Sequence, residues 1–236
     1  MAGLGDRFIK AGFDKPKPLI EIFGRTMISR VYDSLPYGNK IAVTRKYNTQ
    51  HDGELFSFLI TKNIQRIEIN YVTEGAACTC LLAKELIDND QELLIVDCDA
   101  FYQQDVYWFI DKYIRPDNRI GACGVCFDSS NPRNSYVEVD KDGWAIRAAE
   151  KEVISNLSFT GMHWWRKGSD FVKSVEKMIA AEDRTNGEFY VSPAYNHYIK
   201  DGGRMKPLLI PNNWVDQVGV PQDLVNYLNK YASIRS

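Results

Sequence analysis

Gly3, Gly5, Arg7 and Lys17 fall close together at the start of a chain of 236 residues, and their types point to one kind of chemistry. Glycine takes backbone angles that other residues resist, so amide N–H groups beside Gly3 and Gly5 can converge on an oxyanion, and Arg7 and Lys17 bring permanent positive charge to the same place. Lys15-Pro16-Lys17-Pro18 is stiffened by its prolines, which hold the lysines in extended chain. The stretch reads as an anion cradle, too short to be a helix and suited to a polyphosphate. The competing reading is a flexible terminus that happens to hold glycines, which a lone G-x-G would favour.

Further along, Asp97-Cys98-Asp99 places two acids at the end of the aliphatic run Leu93 to Val96. Hard carboxylate oxygens suit Mg²⁺, which takes few protein ligands and completes its shell from phosphates and water. Asp216 is a second candidate ligand. Glu150-Lys151 follows an extended segment, where the lysine could hold a substrate phosphate and the glutamate a hydroxyl; the alternative is an ordinary exposed charge pair of little worth. His51, His163 and His197 lie near no serine, cysteine or acid cluster that suggests nucleophilic catalysis, and His163-Trp164-Trp165 reads as core. Cys123-Gly-Val-Cys126 has the look of half a zinc site, with Cys78 and Cys80 as the other half. Residues three apart on a strand face opposite ways, however, so buried thiols are the better reading.

These residues need a scaffold, and composition allows one. The length supports a substantial core and a single α/β domain over residues 1–236. A formal charge of -2 argues against a nucleic-acid binder that works through a large basic surface. The apolar runs are too short to cross a bilayer and the N-terminus lacks a signal-peptide pattern, so no membrane is expected and the cytoplasm is the default compartment. Five cysteines are an odd set, against a complete disulfide framework.

The first half alternates strand and helix. Helical spacing runs from Met27 to Leu35, and Lys40 to Thr44 reads as strand. A helix through Leu55, Phe56, Leu59 and Ile60 follows Asp52 as cap, and Arg66 to Val72 alternates as strand. A third helix runs through Leu81 and Leu86, the 92–96 run has the pattern of a parallel strand buried on both faces, and a helix follows around Val106 to Tyr113. This is the texture of a doubly wound sheet, in which ligands bind beyond the carboxyl ends of the strands. The second half offers extended segments at 120–127, 136–139, 145–148 and 159–165, with Asp142-Gly143 as hairpin turn. Helices are expected around Phe171 to Ile179 and around Tyr195, a late strand at 205–210, and a closing helix from Pro221 to Tyr231. The change of texture divides the chain into halves of about 1–115 and about 116–236.

Together these stretches resemble the sugar-phosphate nucleotidyltransferases, which join a nucleoside triphosphate to a sugar 1-phosphate or similar phosphomonoester. Residues 1–8 followed by Lys17-Pro18-Leu19 are similar to the signature G-x-G-x-R...K-P-L; Glu74-Gly75-Ala76-Ala77 is similar to the base-contacting turn, Glu150-Lys151 to the E-K that meets the acceptor, Phe159-Thr160-Gly161-Met162 to the T-G segment, and Trp214-Val215-Asp216 with Gly219-x-Pro221 to W-x-D-x-G-x-P. The resemblance implies a Rossmann-like, mostly parallel mixed sheet flanked by helices, of nucleotidyltransferase or glycosyltransferase-A type. The family carries an apolar strand ahead of the glycine loop, and this chain begins at Met1, so the first strand is expected to be missing. The gap from Phe8 to Pro16 is closer to short capsule-type members.

By the same resemblance Ala2, Gly3, Leu4, Gly5, Glu74, Gly75, Ala76 and Cys98 meet the nucleotide, Arg7 and Lys17 are catalytic, Glu150, Lys151, Thr160 and Gly161 meet the acceptor, and Asp99 and Asp216 hold Mg²⁺. The expected reaction is attack of the acceptor phosphate on the α-phosphorus with loss of pyrophosphate, in the making of activated precursors for capsule or surface polysaccharide. The partners implied are the triphosphate and the phosphomonoester, with a homodimer allowed. A glycosyltransferase using Asp97-x-Asp99 as D-x-D, a cytidylyltransferase for a non-sugar acceptor such as phosphocholine, and a nucleotide sensor without turnover are the alternatives.

Overall fold

In the computed structural model, residues 3, 5–102 and 105–232 are described. From the N-terminus come α1 (Asp6–Lys10), β1 (Glu21–Ile22), β2 (Arg25–Thr26), α2 (Met27–Asp33), β3 (Lys40–Arg45), α3 (Thr49–Thr61) and β4 (Ile64–Ile69). Next are α4 (Ala76–Leu81), α5 (Lys84–Ile87), β5 (Leu93–Val96), β6 (Ala100–Tyr102) and α6 (Val106–Phe109), which runs on into a wider turn at Ile110–Ile114. The remainder is β7 (Ala122–Asp128), β8 (Ser135–Val139), β9 (Ala145–Glu150), β10 (Leu157–Trp165), α7 (Gly168–Ala180), α8 (Ala194–Lys200), β11 (Leu208–Leu209), β12 (Val215–Gln217) and α9 (Pro221–Ala232).

The chain folds as two compact units that interleave in sequence. One comprises Met1–Val72, Asp97–Asp105 and Asn213–Ser236, the other Thr73–Val96 and Val106–Asn212. The division does not follow the two expected halves: residues 73–96 belong with the later strands, and the C-terminal helix with the N-terminal segment.

In the first unit β3 and β4 pair in parallel, from Lys40 with Ile64 to Arg45 with Ile69, and α3 connects them. Leu55 and Leu59, a turn apart on α3, bury against Leu19, Ile28 and Ala42, with Tyr47, Phe58 and Ile64 packed alongside. The cap of α3 is Asn48, whose side chain accepts from the His51 amide at 3.0 Å, and not Asp52. The Asp52 carboxylate instead accepts from Arg66, at 2.6 and 3.1 Å, and from the Tyr47 amide, a partnership that no local pattern reveals. A second antiparallel pair joins β6 to β12, and Tyr227 of α9 sets its ring edge-on to Phe101, 5.4 Å between centroids.

The second unit holds, among its described residues, a six-stranded sheet in the order β11-β7-β10-β8-β9, with β5 also on β10. This completes the mixed α/β class expected from the sequence. β5 differs from its expectation, being half-buried and antiparallel to β10, from Met162 with Val96 to Trp165 with Leu93. An aliphatic run reports burial but not the direction of its neighbour. The late strand is confined to Leu208–Leu209, paired parallel to β7, with an isolated bridge of Met205 to Ala122 ahead of it. The Asp142-Gly143 turn is present between β8 and β9: Gly143 has φ +78°, and the Asp140 carboxylate accepts from the amides of Asp142 and Trp144, each at 2.9 Å. Trp164 and Trp165 are fully buried, as core, and Trp165 stacks on Tyr195 at 4.8 Å. Cys123 and Cys126 are buried on β7, where burial pushes both thiols up in pKa.

Candidate functional site

In the first unit the opening stretch is not all turn. Gly5 adopts φ +69°, ψ +19°, and five residues of helix follow it, α1, with Gly5 accepting from the Phe8 and Ile9 amides at 2.9 and 3.2 Å. The expectation that no helix fits there is corrected by Phe8, whose complete burial anchors a turn that propensity alone would not hold. Gly3 has open space around it, and Arg7 is exposed and forms no ion pair among the described residues. Ala2 and Leu4, expected to meet the nucleotide, lie outside the described residues.

Lys17 opens a single 3-10 turn, Lys17–Leu19, after Pro16 in extended conformation. Its Nζ donates to Asp99 Oδ2 and, at 3.1 Å, to the Gly219 carbonyl, and it lies 5.4 Å from the centroid of the Phe8 ring. Burial works against the ammonium, but Asp99, helped by Cys98 and Asp97, outweighs it, and the Lys17 pKa is raised. Cys98, between the two acids, is held up in pKa chiefly by burial. The structure thus brings together an αL glycine, a lysine from a proline-stiffened loop and an aspartate from a strand end.

Asp216 reaches the same β6–β12 pair by a different route. The Val218 amide donates to the Asp99 carbonyl at 2.8 Å, which extends the register Asp216↔Phe101 and Gln217↔Ala100 by one step. Asp99 lies in the turn ahead of β6, and its carbonyl is thus bound two residues along the chain from Asp216 on β12. The Asp216 carboxylate accepts from Lys230 Nζ at 2.7 Å and from the Tyr231 hydroxyl at 2.8 Å, both on α9. No cluster of three or more His, Cys, Asp and Glu side chains is placed to cage a metal among the described residues. The hard carboxylates of Asp99 and Asp216 are nevertheless of the donor type that fits Mg²⁺, which needs only one or two from protein.

In the second unit Glu150 ends β9 and Lys151 follows it with φ +56°, a left-handed conformation that costs a non-glycine residue about 1 kcal/mol or more. Lys151 Nζ donates to the Tyr190 hydroxyl and lies 4.3 Å from the centroid of that ring. The Glu150 carboxylate accepts from Ser192 at 2.9 Å; burial raises its pKa, with Ser192 and Lys151 pulling the other way. Thr160 is buried and donates to the Val125 carbonyl at 3.1 Å, and Gly161, at φ +91°, sits where the β10–β7 register shifts. That pair shapes a bulge.

Gly75 begins α4 at φ +134°, and a Cβ there would lie 2.3 Å from the Phe189 carbonyl oxygen, so only glycine fits. The contact is hydrogen-bonded on both sides: Phe189 N donates to Glu74 O at 2.8 Å, and Ala77 N donates to Phe189 O at 3.0 Å. Arg184 stacks on the Phe189 ring at 4.0 Å and pairs with Glu74 at 2.7 Å. Sequence reasoning named Gly219 only as part of the W-x-D-x-G-x-P motif and missed Tyr190, Ser192 and Phe189, whose partners are far away in the chain, so no local signal marks them.

Known proteins resemble this chain in sequence and in fold. A family model described as Nucleotidyl transferase matches residues 1–234. Two curated proteins called Bifunctional protein GlmU are similar: that of Methanococcus maripaludis (strain DSM 14266) is 25% identical across 98% of this chain and 54% of its own length, and that of Methanocaldococcus jannaschii 26% identical across 98% and 52%. The chain spans about half the length of these relatives. Among solved structures, the nucleoside-diphosphate-sugar pyrophosphorylase from Vibrio cholerae RC9 superposes with a TM-score of 0.82 at 24% identity, covering 97% of this chain and 98% of that one. The inositol-1-phosphate CTP transferase from T. maritima gives 0.73 at 15%, covering 100% and 94%. With a family model matched over residues 1–234, nearly its whole length, the chain belongs to the nucleotidyl transferase family.

Proposed function

We propose that the protein transfers a nucleoside monophosphate from a triphosphate to a phosphomonoester, a sugar 1-phosphate by preference, with release of pyrophosphate, and so supplies an activated precursor for surface polysaccharide. The observation that carries this reading is the Lys17 ammonium, held between Asp99 and the Gly219 carbonyl beside the Gly5 loop. A glycosyltransferase expels a nucleoside diphosphate and no pyrophosphate, so that reading does not by itself account for the pairing of this lysine with a glycine loop. Relatives named as a nucleoside-diphosphate-sugar pyrophosphorylase and an inositol-1-phosphate CTP transferase support the same class and leave the base and acceptor open.

In this reading an oxygen of the acceptor phosphate forms a bond to the α-phosphorus while the α–β bridging bond breaks and pyrophosphate departs. The nucleophile is already an anion, so no general base is required. The work of the chain is alignment and charge neutralisation. Gly3 and Gly5 amides, with those of Ala2 and Leu4, receive phosphate oxygens, Arg7 and Lys17 take the β- and γ-phosphates, and Glu74, Gly75, Ala76 and Cys98 meet the nucleoside. Lys151 takes the acceptor phosphate and Glu150 a hydroxyl, with Thr160 and Gly161 framing that side. Asp99 and Asp216 would hold Mg²⁺, which when bound offsets developing phosphate charge.

The experiment is a screen for pyrophosphate release with Mg²⁺, crossing the nucleoside triphosphates with a panel of phosphomonoesters that includes sugar 1-phosphates and phosphocholine. Release with at least one pair is expected. Nucleotide binding without release across the panel would make the protein a sensor, and glycosyl transfer from a nucleotide sugar would make it a glycosyltransferase.

A further inference from the structure

The side chains of Tyr190 and Ser192 each meet one member of the Glu150-Lys151 pair, while the backbone of Phe189 holds the Glu74–Ala77 turn. All of these contacts lie within the second unit. Tyr190 and Ser192 lie two residues apart, and Val191 and Ser192 already accept from the amides of Ala194 and Tyr195 at the start of α8, which fixes this end of the segment. Lys151 needs such a partner: in its left-handed conformation its amide is fixed to the Asn134 carbonyl at 2.9 Å, but its four-carbon stem is free to turn unless the ammonium is held. The phenol and the ring face of Tyr190 hold it together. Ser192 is buried, and its hydroxyl on Glu150 at 2.9 Å satisfies a carboxylate oxygen drawn out of water.

At the other end the segment cannot slide. Phe189 exchanges hydrogen bonds with Glu74 and Ala77, and the missing Cβ of Gly75 leaves its backbone in direct contact. The Gly75 carbonyl is held in turn by the hydroxyls of Thr73 and Thr79, each at 3.1 Å. Fully buried Phe189, under the Arg184 guanidinium, is the pivot between the two ends.

We infer that Phe189–Ser192 is a strap that sets the acceptor pair and the base-contacting turn as one mechanical unit, with Tyr190 and Ser192 as positioning residues for Lys151 and Glu150. The inference rests on the proposed roles of Glu74–Ala76 and of Glu150-Lys151. A displacement of Lys151 by an acceptor phosphate draws on the phenol of Tyr190, and Tyr190 is joined by one peptide bond to the residue that holds Gly75. The two substrates therefore influence each other's affinity through four residues of chain, without any change in fold.

Tyr190→Phe removes one hydroxyl and leaves the ring, so it tests the strap without opening a cavity. In the ligand-free protein, residue-resolved amide hydrogen exchange should quicken about tenfold at Ala77 and Phe189, while the amides of the β3–β4 pair stay as in the parent. Ser192→Ala should act at the same two amides, and the double variant more strongly than either. In the transfer reaction, the KM for the acceptor should rise about tenfold and that for the triphosphate in the same direction, with kcat within about twofold. Unchanged exchange at Ala77 and Phe189, or a uniform rise across both units, overturns the strap. Because exchange is read without substrate, a failure of the strap is distinct from a failure of the transferase reading, which shows as absence of pyrophosphate release in the unaltered protein.

Discussion

Lys17 and Lys151 are both half-buried cations beside residues of special backbone geometry, yet they are held by opposite means. Lys17 leaves a loop stiffened by Pro16 and Pro18 and is neutralised by the Asp99 carboxylate. Lys151 carries a strained backbone and is bound to the neutral phenol of Tyr190, while its neighbour Glu150 turns to the hydroxyl of Ser192. A neutral partner leaves the positive charge of Lys151 available to an incoming anion, whereas a ligand at Lys17 must share it with Asp99. Loss of Lys17 leaves a partly buried carboxylate without its bonded counter-ion, while loss of Lys151 leaves a hydroxyl that water can serve and a Glu150 carboxyl still bonded to Ser192.

The sharpest break of this contrast is Asp99→Asn. It should lower the rate of pyrophosphate release by roughly 10² to 10³, or about 2.7–4 kcal/mol, with the circular dichroism spectrum unchanged. Combined with Lys17→Met in a double-mutant cycle it should prove strongly non-additive; additive losses would mean that the two residues act apart. Gly75→Ala comes next, because a Cβ 2.3 Å from a backbone oxygen has nowhere to go. Unfolding free energy should fall by about 2–4 kcal/mol in a denaturant melt, and an unchanged midpoint would show that the turn can shift away from Phe189.

Lys151→Met should raise the KM for the acceptor by roughly 10- to 100-fold while stability stays within about 0.5 kcal/mol of the parent, the reverse of what Lys17→Met does to stability. The smallest effect belongs to Glu150. Burial lifts its carboxyl above the ordinary 4.5, so the folded state holds the proton more tightly than the unfolded chain. That contribution is complete below about pH 4.5 and is lost as pH rises through the raised value. Glu150→Gln should flatten this part of the stability profile, and an identical profile in the variant would show that another group titrates there.

Legibility followed the range of the interaction. The Asp142-Gly143 turn, the Pro221 start of α9 and the amphipathic α7 are written in neighbouring residues, and each forms close to where the sequence puts it. The cap of α3 was misplaced by four residues, since Asn48 and Asp52 are equally able acceptors and only the distant Arg66 decides between them. Likewise the 92–96 run shows an apolar strand, but its antiparallel partner lies some seventy residues on, at Leu157–Trp165.

By itself, then, the order of residues determined the α/β class, the motif positions and the chemical types available: glycines able to take positive φ, cationic lysine and arginine, and hard carboxylates. Those are properties of single residues and of spacings within a turn or a strand. Only the tertiary structure decided that Lys17 meets Asp99 and the Gly219 carbonyl, that Asp216 is engaged by α9, and that Tyr190 and Ser192 stand on Lys151 and Glu150. These are meetings between segments separated by up to two hundred residues, brought about by packing of buried apolar surface that is indifferent to the polar contacts it creates.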